Sequence, residues 1–511
     1  MRTERAIRNV VVSLLSYTLF LILGFVTRAY FARLLGAEYL GINGLFSNII
    51  SLMSVVELGF GSAVIYNLYR PLSENNTKQI KAIIDFYKRI YRFVACIVLF
   101  FGVILTPFIP QIVGYTNIKD NIYIIFVLFI VDSVSSYLLS YKRAIFYADQ
   151  KEFVITFIHT WVVFCVKLSQ IIVLFFWKNY FLFLLIQIIS NVAENVVIMI
   201  LANKQYPYLK NSNSEILNEN IREDIIRKVK GLFFHLIGGA LVLSTDNIIL
   251  SMTKNLGIIA VGKYSNYVLL TSTLSSFLGL FFNSITASVG NLIIEKDSES
   301  VYLVYKKVLF LNAALCNFVS VSLLICIEPF ISLWIGREFL LPSSLSVYII
   351  INFYIQNMKR TCGLFRNAAG IFYENRFVPI VEVIINLVVS LLLVNIIGIS
   401  GVVLGTIISS MVHWFYDFPK YLYFGVLKKS VQQYISDFLP YLGTFLVSVF
   451  VSEIFCYYIR LFDLQLILSL IVHVMIGVLV PNVIFFLVFY RKDEYLYWRS
   501  FLLVRLLKKM S

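Results

Sequence analysis

Eight polar side chains stand inside long apolar runs of this 511-residue chain: Arg28, Glu57, Asp132, Lys167, Glu194, Asp246, Asn247 and Lys263. A charge at the centre of hydrocarbon costs at least about 2.5–3.5 kcal/mol on insertion scales, so each needs a partner or a task. Arg28, Lys167 and Lys263 suit an anionic ligand, and the compact run Ser244-Thr245-Asp246-Asn247 suits a polar cavity wall. Glu57, Asp132 and Glu194 suit a proton or a small cation such as Na⁺. Each has a plainer use as well. Arg28 can snorkel to an interface, Lys167 can pair with Glu194 or Asp132, Lys263 can anchor a helix end, and Glu57 can cap polar neighbours. Glu453 lies nearer the edge of its run. The four histidines, His159, His235, His413 and His473, all fall in apolar runs and read as packed neutral groups before proton sites. No HExxH, GxSxG, Walker or Rossmann pattern occurs. The chain therefore shows no catalytic constellation, no metal site and no cofactor motif, and is expected not to be an enzyme.

The elements that must hold these residues follow from composition. Hydrophobic residues make up 59% of the chain and charged ones 14%, with 45 Phe and 32 Tyr. Soluble domains run near 45–50% apolar and about 25% charged, so an ordinary soluble enzyme and a disordered chain are both excluded. Crossing the hydrocarbon takes about 20 apolar residues. Blocks of that size recur at 10–32, 42–66, 90–113, 121–141, 153–176, 180–202, 232–252, 264–285, 308–327, 342–358, 379–396, 401–418, 438–459 and 465–489. The expected fold is thus an all-α polytopic membrane protein of about 14 spans. The first run follows a basic start but continues without a small-residue cleavage site, and reads as an uncleaved span.

The net charge of +15 has a topological cause. With both termini inside, the inner segments carry 34 Lys and Arg and the outer loops six, the bias that places basic loops in the cytoplasm. A nucleic-acid role drops out. The six cysteines form no CxxC pair; they read as buried, inert thiols. Pro107 and Pro110 end the third span, and Pro481 lies within the last. The tail 494–509 mixes aromatics, leucines and bases like an interfacial helix.

The longest loop, 203–231, is polar and follows six spans. It divides the chain into a six-helix lobe (1–202), a cytoplasmic linker (203–231), a second six-helix lobe (232–419), an added helix pair (420–489) and a basic tail (490–511). An internal repeat fits this division: Leu35-Gly36 to Gly41 and Leu256-Gly257 to Gly262 both read LGxxxxG, 221 positions apart. Arg33 and Lys254 precede them equally, and the same step takes Ser51 to Ser272 and Ser54 to Ser275. Half-length repeats are frequent in secondary transporters.

Four stretches, ELGFGSAVIYNLYRPLSENNTKQIKAIIDFYKRIYR (57–92), LLGAEYLGINGLFSNIISL (34–52), STDNIILS (244–251) and VGKYSNYVLL (261–270), resemble Wzx-type polysaccharide flippases. These belong to the polysaccharide-transport branch of the MATE-like superfamily, which also holds multidrug exporters and the lipid II flippase. The likeness covers essentially the whole chain. It implies two six-helix lobes in a V around a central cavity that opens alternately inward and outward, with two extra C-terminal helices. The implied substrate is an undecaprenyl-diphosphate-linked oligosaccharide, carried across the bacterial cytoplasmic membrane for capsule, exopolysaccharide or O-antigen assembly. Arg28 matches the first-span Arg of related flippases and Lys263 a basic residue near span eight, so both would meet the diphosphate. Implied partners are the lipid bilayer, the lipid-linked oligosaccharide, a polysaccharide polymerase and chain-length machinery. A cation-coupled multidrug exporter of the same fold is the first alternative and a membrane polymerase the second.

Overall fold

The computed structural model describes residues 2–57, 60–210, 217–253, 257–371, 373–462 and 465–510. Leu58, Gly59, the polar stretch 211–215, Lys254 and Leu256 lie outside them, as do the side chains of Arg2, Arg5, Arg8, His235 and Arg460 and those beyond Phe501. The described residues are almost wholly helical and fall into two compact units, Met1–Gly262 and Lys263–Ser511.

The first unit begins with α1 (Arg2–Leu35), α2 (Ala37–Met53), α3 (Phe60–Ser73), α4 (Thr77–Leu105) and α5 (Ile109–Val113). It continues with α6 (Ile122–Ser140), α7 (Arg143–Ala148), α8 (Glu152–Trp177), α9 (Tyr180–Gln205) and α10 (Glu219–Met252). Asparagine starts four of these helices. The side chains of Asn76, Asn121, Asn179 and Asn218 accept from backbone N–H groups of α4, α6, α9 and α10, each cap contributing about 1 kcal/mol. Helix α1 packs along α8, α6 lies against α4 and α9, and α10 lies against α2, α3 and α5. That last packing places α10, and with it residues 219–231 of the expected linker, in the first unit.

Helix α11 (Gly257–Asn283) crosses the division. Beyond it come α12 (Thr286–Glu295), α13 (Ser298–Trp334), α14 (Ser343–Ala368), α15 (Val378–Ile397), α16 (Ile399–Val412), α17 (Val431–Arg460), α18 (Leu466–Phe489) and α19 (Asp493–Met510). From α16 the chain runs on as a π-helix over His413–Leu427, a geometry rare in proteins and often found at functional sites. The core of this unit is aromatic: Tyr305 meets Phe365 and Tyr423 edge-on, and Phe310 meets Phe485. The added pair α17 and α18 packs on α13. The tail is helical, and its first turns dock on α13 through Glu494 to Lys306 at 2.7 Å and Trp498 Nε1 donating to the Lys307 carbonyl at 3.0 Å.

Among the described residues, eleven helices are long and apolar enough to cross a membrane. The other three expected spans are α2 with α3, α10 and α14. The first is broken: α2 ends at Met53, a 3₁₀ turn covers Ser54–Glu57, and α3 starts at Phe60. With α14, whose Asn352, Gln356, Asn357, Lys359 and Arg360 dilute its apolar residues, these bring the fold to roughly 14 spans. Cys96 and Cys165 are exposed on their helices, against the expectation of burial; Cys316, Cys362 and Cys456 are buried.

The LGxxxxG repeat has a structural reason. Gly36 and Gly257 take the left-handed region at φ +88° and +62°, where glycine is favoured, and each starts the next helix. Five residues on, a Cβ on Gly41 would overlap the backbone of Ile258, and one on Gly262 the backbone of Ala37. Ala37 and Ile258 are themselves 221 positions apart. The two motif copies therefore pack against each other reciprocally, backbone to backbone.

A side chain at either glycine must push two backbones apart, at about 1–3 kcal/mol for overpacking. Gly41→Val and Gly262→Val should each lower the melting temperature of the detergent-solubilised protein by several degrees. Gly24→Ala and Gly443→Ala, with open space around them, should not. Equal melting of all four would dismiss the crossing as a constraint.

Candidate functional site

Arg28 lies half-buried on α1 within electrostatic reach of the Tyr180 hydroxyl. Tyr180 is fully buried, packs edge-on against Phe31 and Tyr39, and donates to Asn43 Oδ1 at 3.0 Å. That knot of α1, α2 and α9 fixes the helix carrying Arg28. On neighbouring α8, Lys167 does not pair with Glu194 or Asp132. Its ammonium donates to the neutral Gln170 Oε1 at 3.1 Å, and Gln170 in turn donates to the Phe183 carbonyl at 3.3 Å. No carboxylate meets Lys167 among the described residues. Contacts Ser16–Thr160 and Phe20–His159 join α1 to α8.

The other expected ligands lie elsewhere. Asp246 is buried on α10 beside Asn247, whose Oδ1 is buried without a hydrogen bond. Lys263 is half-buried in the first turns of α11.

The three carboxylates expected to take a proton or a small cation occupy three separate networks. Glu57 accepts from Tyr91 at 2.5 Å, Tyr91 accepts from Tyr87 at 2.6 Å, and Tyr137 closes on the same pair. This phenolic collar sits at the break between α2 and α3. Asp132 on α6 accepts from Gln187 at 3.0 Å and Asn191 at 2.7 Å. Glu194, only 2% exposed on α9, takes a salt bridge from Arg143 at 2.7 Å and lies 3.0 Å from His159 Nδ1. Among the described residues no group of three or more His, Cys, Asp or Glu could hold a metal ion.

The second unit holds a counterpart of this last network. Adding 223 to Arg143, His159 and Glu194 gives Arg366, Glu382 and Asp417. Arg366 is salt-bridged to Asp417, which is fully buried in the π-helix, and both Arg–carboxylate pairs span 51 residues. Where His159 faces Glu194 in the first unit, the second has a carboxylate, Glu382. His413 bridges the two acids, at 3.0 Å from Glu382 and 2.7 Å from Asp417. Lys359 reaches Glu382 at 3.3 Å, and Asn375 donates to Asp417 at 3.1 Å. Each network holds as many arginine and lysine cations as carboxylates, the balance a buried ionic group in a low-dielectric body requires.

Sequence reasoning missed Arg143, counted as a loop base, and Glu382, Asp417, Lys359 and Arg366. The repeat carried the signal, displaced by a two-residue insertion between the 221 and 223 registers. It also missed Arg360, which donates to the Ser275 carbonyl at 2.9 Å and to Asn357 Oδ1 at 3.0 Å, tying α11 to α14. Two of the histidines read as packed neutral groups, His159 and His413, lie against carboxylates. His473 instead sits 2.7 Å from the Ser469 carbonyl, as a packed group does.

Breaking one member strands a buried charge, which costs about 3–5 kcal/mol. Arg143→Ala and Arg366→Ala should therefore each sharply depress thermal stability and folded yield. Arg143→Met together with Glu194→Met removes both charges and should recover most of the loss, measured as a double-mutant cycle of melting temperatures. Single variants that melt like wild type would show that the networks do not neutralise these acids.

Comparison with known proteins agrees with this architecture. Three solved structures share the fold. The lipid II flippase MurJ in an inward closed conformation is 18% identical at TM-score 0.64, covering 95% of this chain and 99% of its own. An inward-facing multidrug resistance MATE family transporter of the MOP superfamily is 12% identical at TM-score 0.57, covering 79% and 92%. A Vibrio cholerae MATE transporter is 13% identical at TM-score 0.51, covering 81% and 95%. No curated protein matches the sequence. Residues 6–286, more than half of the chain, match the family described as polysaccharide biosynthesis protein, and the chain belongs to that family.

Proposed function

We propose that the chain is a flippase that moves undecaprenyl-diphosphate-linked oligosaccharide repeat units from the inner to the outer leaflet of the bacterial cytoplasmic membrane. It does so by alternating access of two six-helix repeats joined by the 203–231 linker, with 420–489 appended, and it feeds a polymerase and chain-length machinery outside. The observation that carries this reading is Lys167. A half-buried cation with a neutral partner, on the helix packed beside Arg28, leaves positive charge for an anionic ligand. A diphosphate supplies the opposite charge. Arg28 offers a planar fork that binds phosphate oxygens in pairs, and Lys167 offers a point charge. Lys263, Asp246 and Asn247 extend the substrate contacts. Glu57 with its phenolic collar, Asp132 and Glu194 are the carboxylates offered to a coupling proton or Na⁺.

Deletion of the gene should leave complete lipid-linked repeat units in the inner leaflet and strip the surface glycan. Wild type should restore export, while Arg28→Ala and Lys167→Ala should each reduce it by tenfold or more at normal protein level. Unchanged surface glycan with altered drug sensitivity would overturn the flippase reading and favour a multidrug exporter. In proteoliposomes, an imposed pH or Na⁺ gradient should raise flipping of wild type above that of Glu57→Gln.

A further inference from the structure

A cavity of about 510 Å³ opens on the flank of the first unit, away from Arg28 and Lys167. Six cations line it: Lys81, Lys88, Arg89, Arg92, Lys142 and Lys210, with one acid, Asp85. Asp85 is already engaged by Lys81 at 2.5 Å. Lys142 is 6% exposed and donates to Asn203, a neutral amide, and Lys88 stands 5.4 Å over the ring of Tyr141. Arg89, Arg92 and Lys210 meet no carboxylate among the described residues. Burial, with Lys88, Lys81 and Lys210 nearby, pulls the Lys142 ammonium below the usual lysine range. The protein itself offers this pocket too little negative charge.

The position of the cavity says what meets it. Along α4 the exposed side chains change abruptly from Arg89 and Arg92 to Phe93, Leu99, Phe100 and Phe101. That change marks the border between headgroups and hydrocarbon, and the basic loops 70–92, 142–151 and 204–230 put it on the cytoplasmic side. The second unit supplies a contrast. At the start of α13, the helix that corresponds to α4 in span order, Lys306 is neutralised by Glu494 and Lys307 sits 3.9 Å over the Tyr497 ring, both from the tail helix α19. There the protein covers its own bases. In the first unit the bases of α4 face an open cavity.

We propose that this cavity binds the phosphate headgroup of an anionic inner-leaflet lipid, with Arg89, Arg92 and Lys210 gripping phosphate oxygens and Lys142 forming the floor. Basic pockets between helices on the cytoplasmic side take headgroups of this kind. The net positive charge of the lining suits a lipid carrying two phosphates better than one carrying a single phosphate. The inference does not rest on the flippase reading.

The test uses the full-length protein in dodecyl maltoside. Titration with cardiolipin should raise the melting temperature and give lipid-bound species by native mass spectrometry, and phosphatidylcholine should not. Arg89→Gln, Arg92→Gln and Lys210→Gln together leave Asp85 and the buried Lys81 and Lys142 in place. That variant should fold, melt like wild type without lipid, and bind cardiolipin at least tenfold more weakly. Should it fail to fold, Lys210→Glu alone, on a short 3₁₀ turn outside the helices, should weaken binding by severalfold. Undiminished cardiolipin binding in the folded variants would overturn the proposal. Inorganic diphosphate competing at concentrations equal to the lipid would overturn the lipid source and assign a soluble phosphate.

Discussion

An ion placed among these helices has no water to solvate it, so the protein must supply every counter-charge itself. The polar architecture follows from that constraint. Glu194 and Asp417, among the most deeply buried acids, each hold an arginine brought in from 51 residues earlier. Asp132 is satisfied by two amides from α9 and Glu57 by a phenol from α4. These bonds join helices distant in sequence, and in so apolar a body they specify neighbours that uniform hydrophobic surfaces cannot.

Against that background the exceptions stand out. Lys167 has a neutral amide for a partner, and the cavity beside Lys142 has one engaged acid for six cations. Both are places where the rule of internal compensation is relaxed, and a relaxed rule in a low-dielectric setting is the physical form an anion site takes. They differ in depth: Lys167 lies along a transmembrane helix, whereas the Lys142 cavity lies at the polar border.

Much of the fold was legible in the sequence because length and apolar run determine a span almost alone. Asn76, Asn121 and Asn179 even mark where helices begin. The site was less legible. Arg143 follows a span directly, and counting it with the loop hid its reach back to Glu194. Asp417 and Glu382 lie in apolar runs whose hydropathy they barely dent, and only the three-dimensional register shows that they share His413. The glycine repeat showed that the chain is duplicated but not that its two copies touch. The π-helix over His413–Leu427 was not expected either, since no composition distinguishes it from an α-helix.

The touching copies meet with a particular symmetry. Gly41 rests on Ile258 and Gly262 on Ala37, so the same pair of motif positions meets twice with roles exchanged. That is the signature of an isologous contact, the kind formed by two identical subunits about a two-fold axis. Here both copies lie in one chain, so each half is free to change alone. One half kept histidine opposite its buried acid, and the other placed a second acid there with a histidine between, a divergence that an obligate dimer of identical chains has no means to adopt.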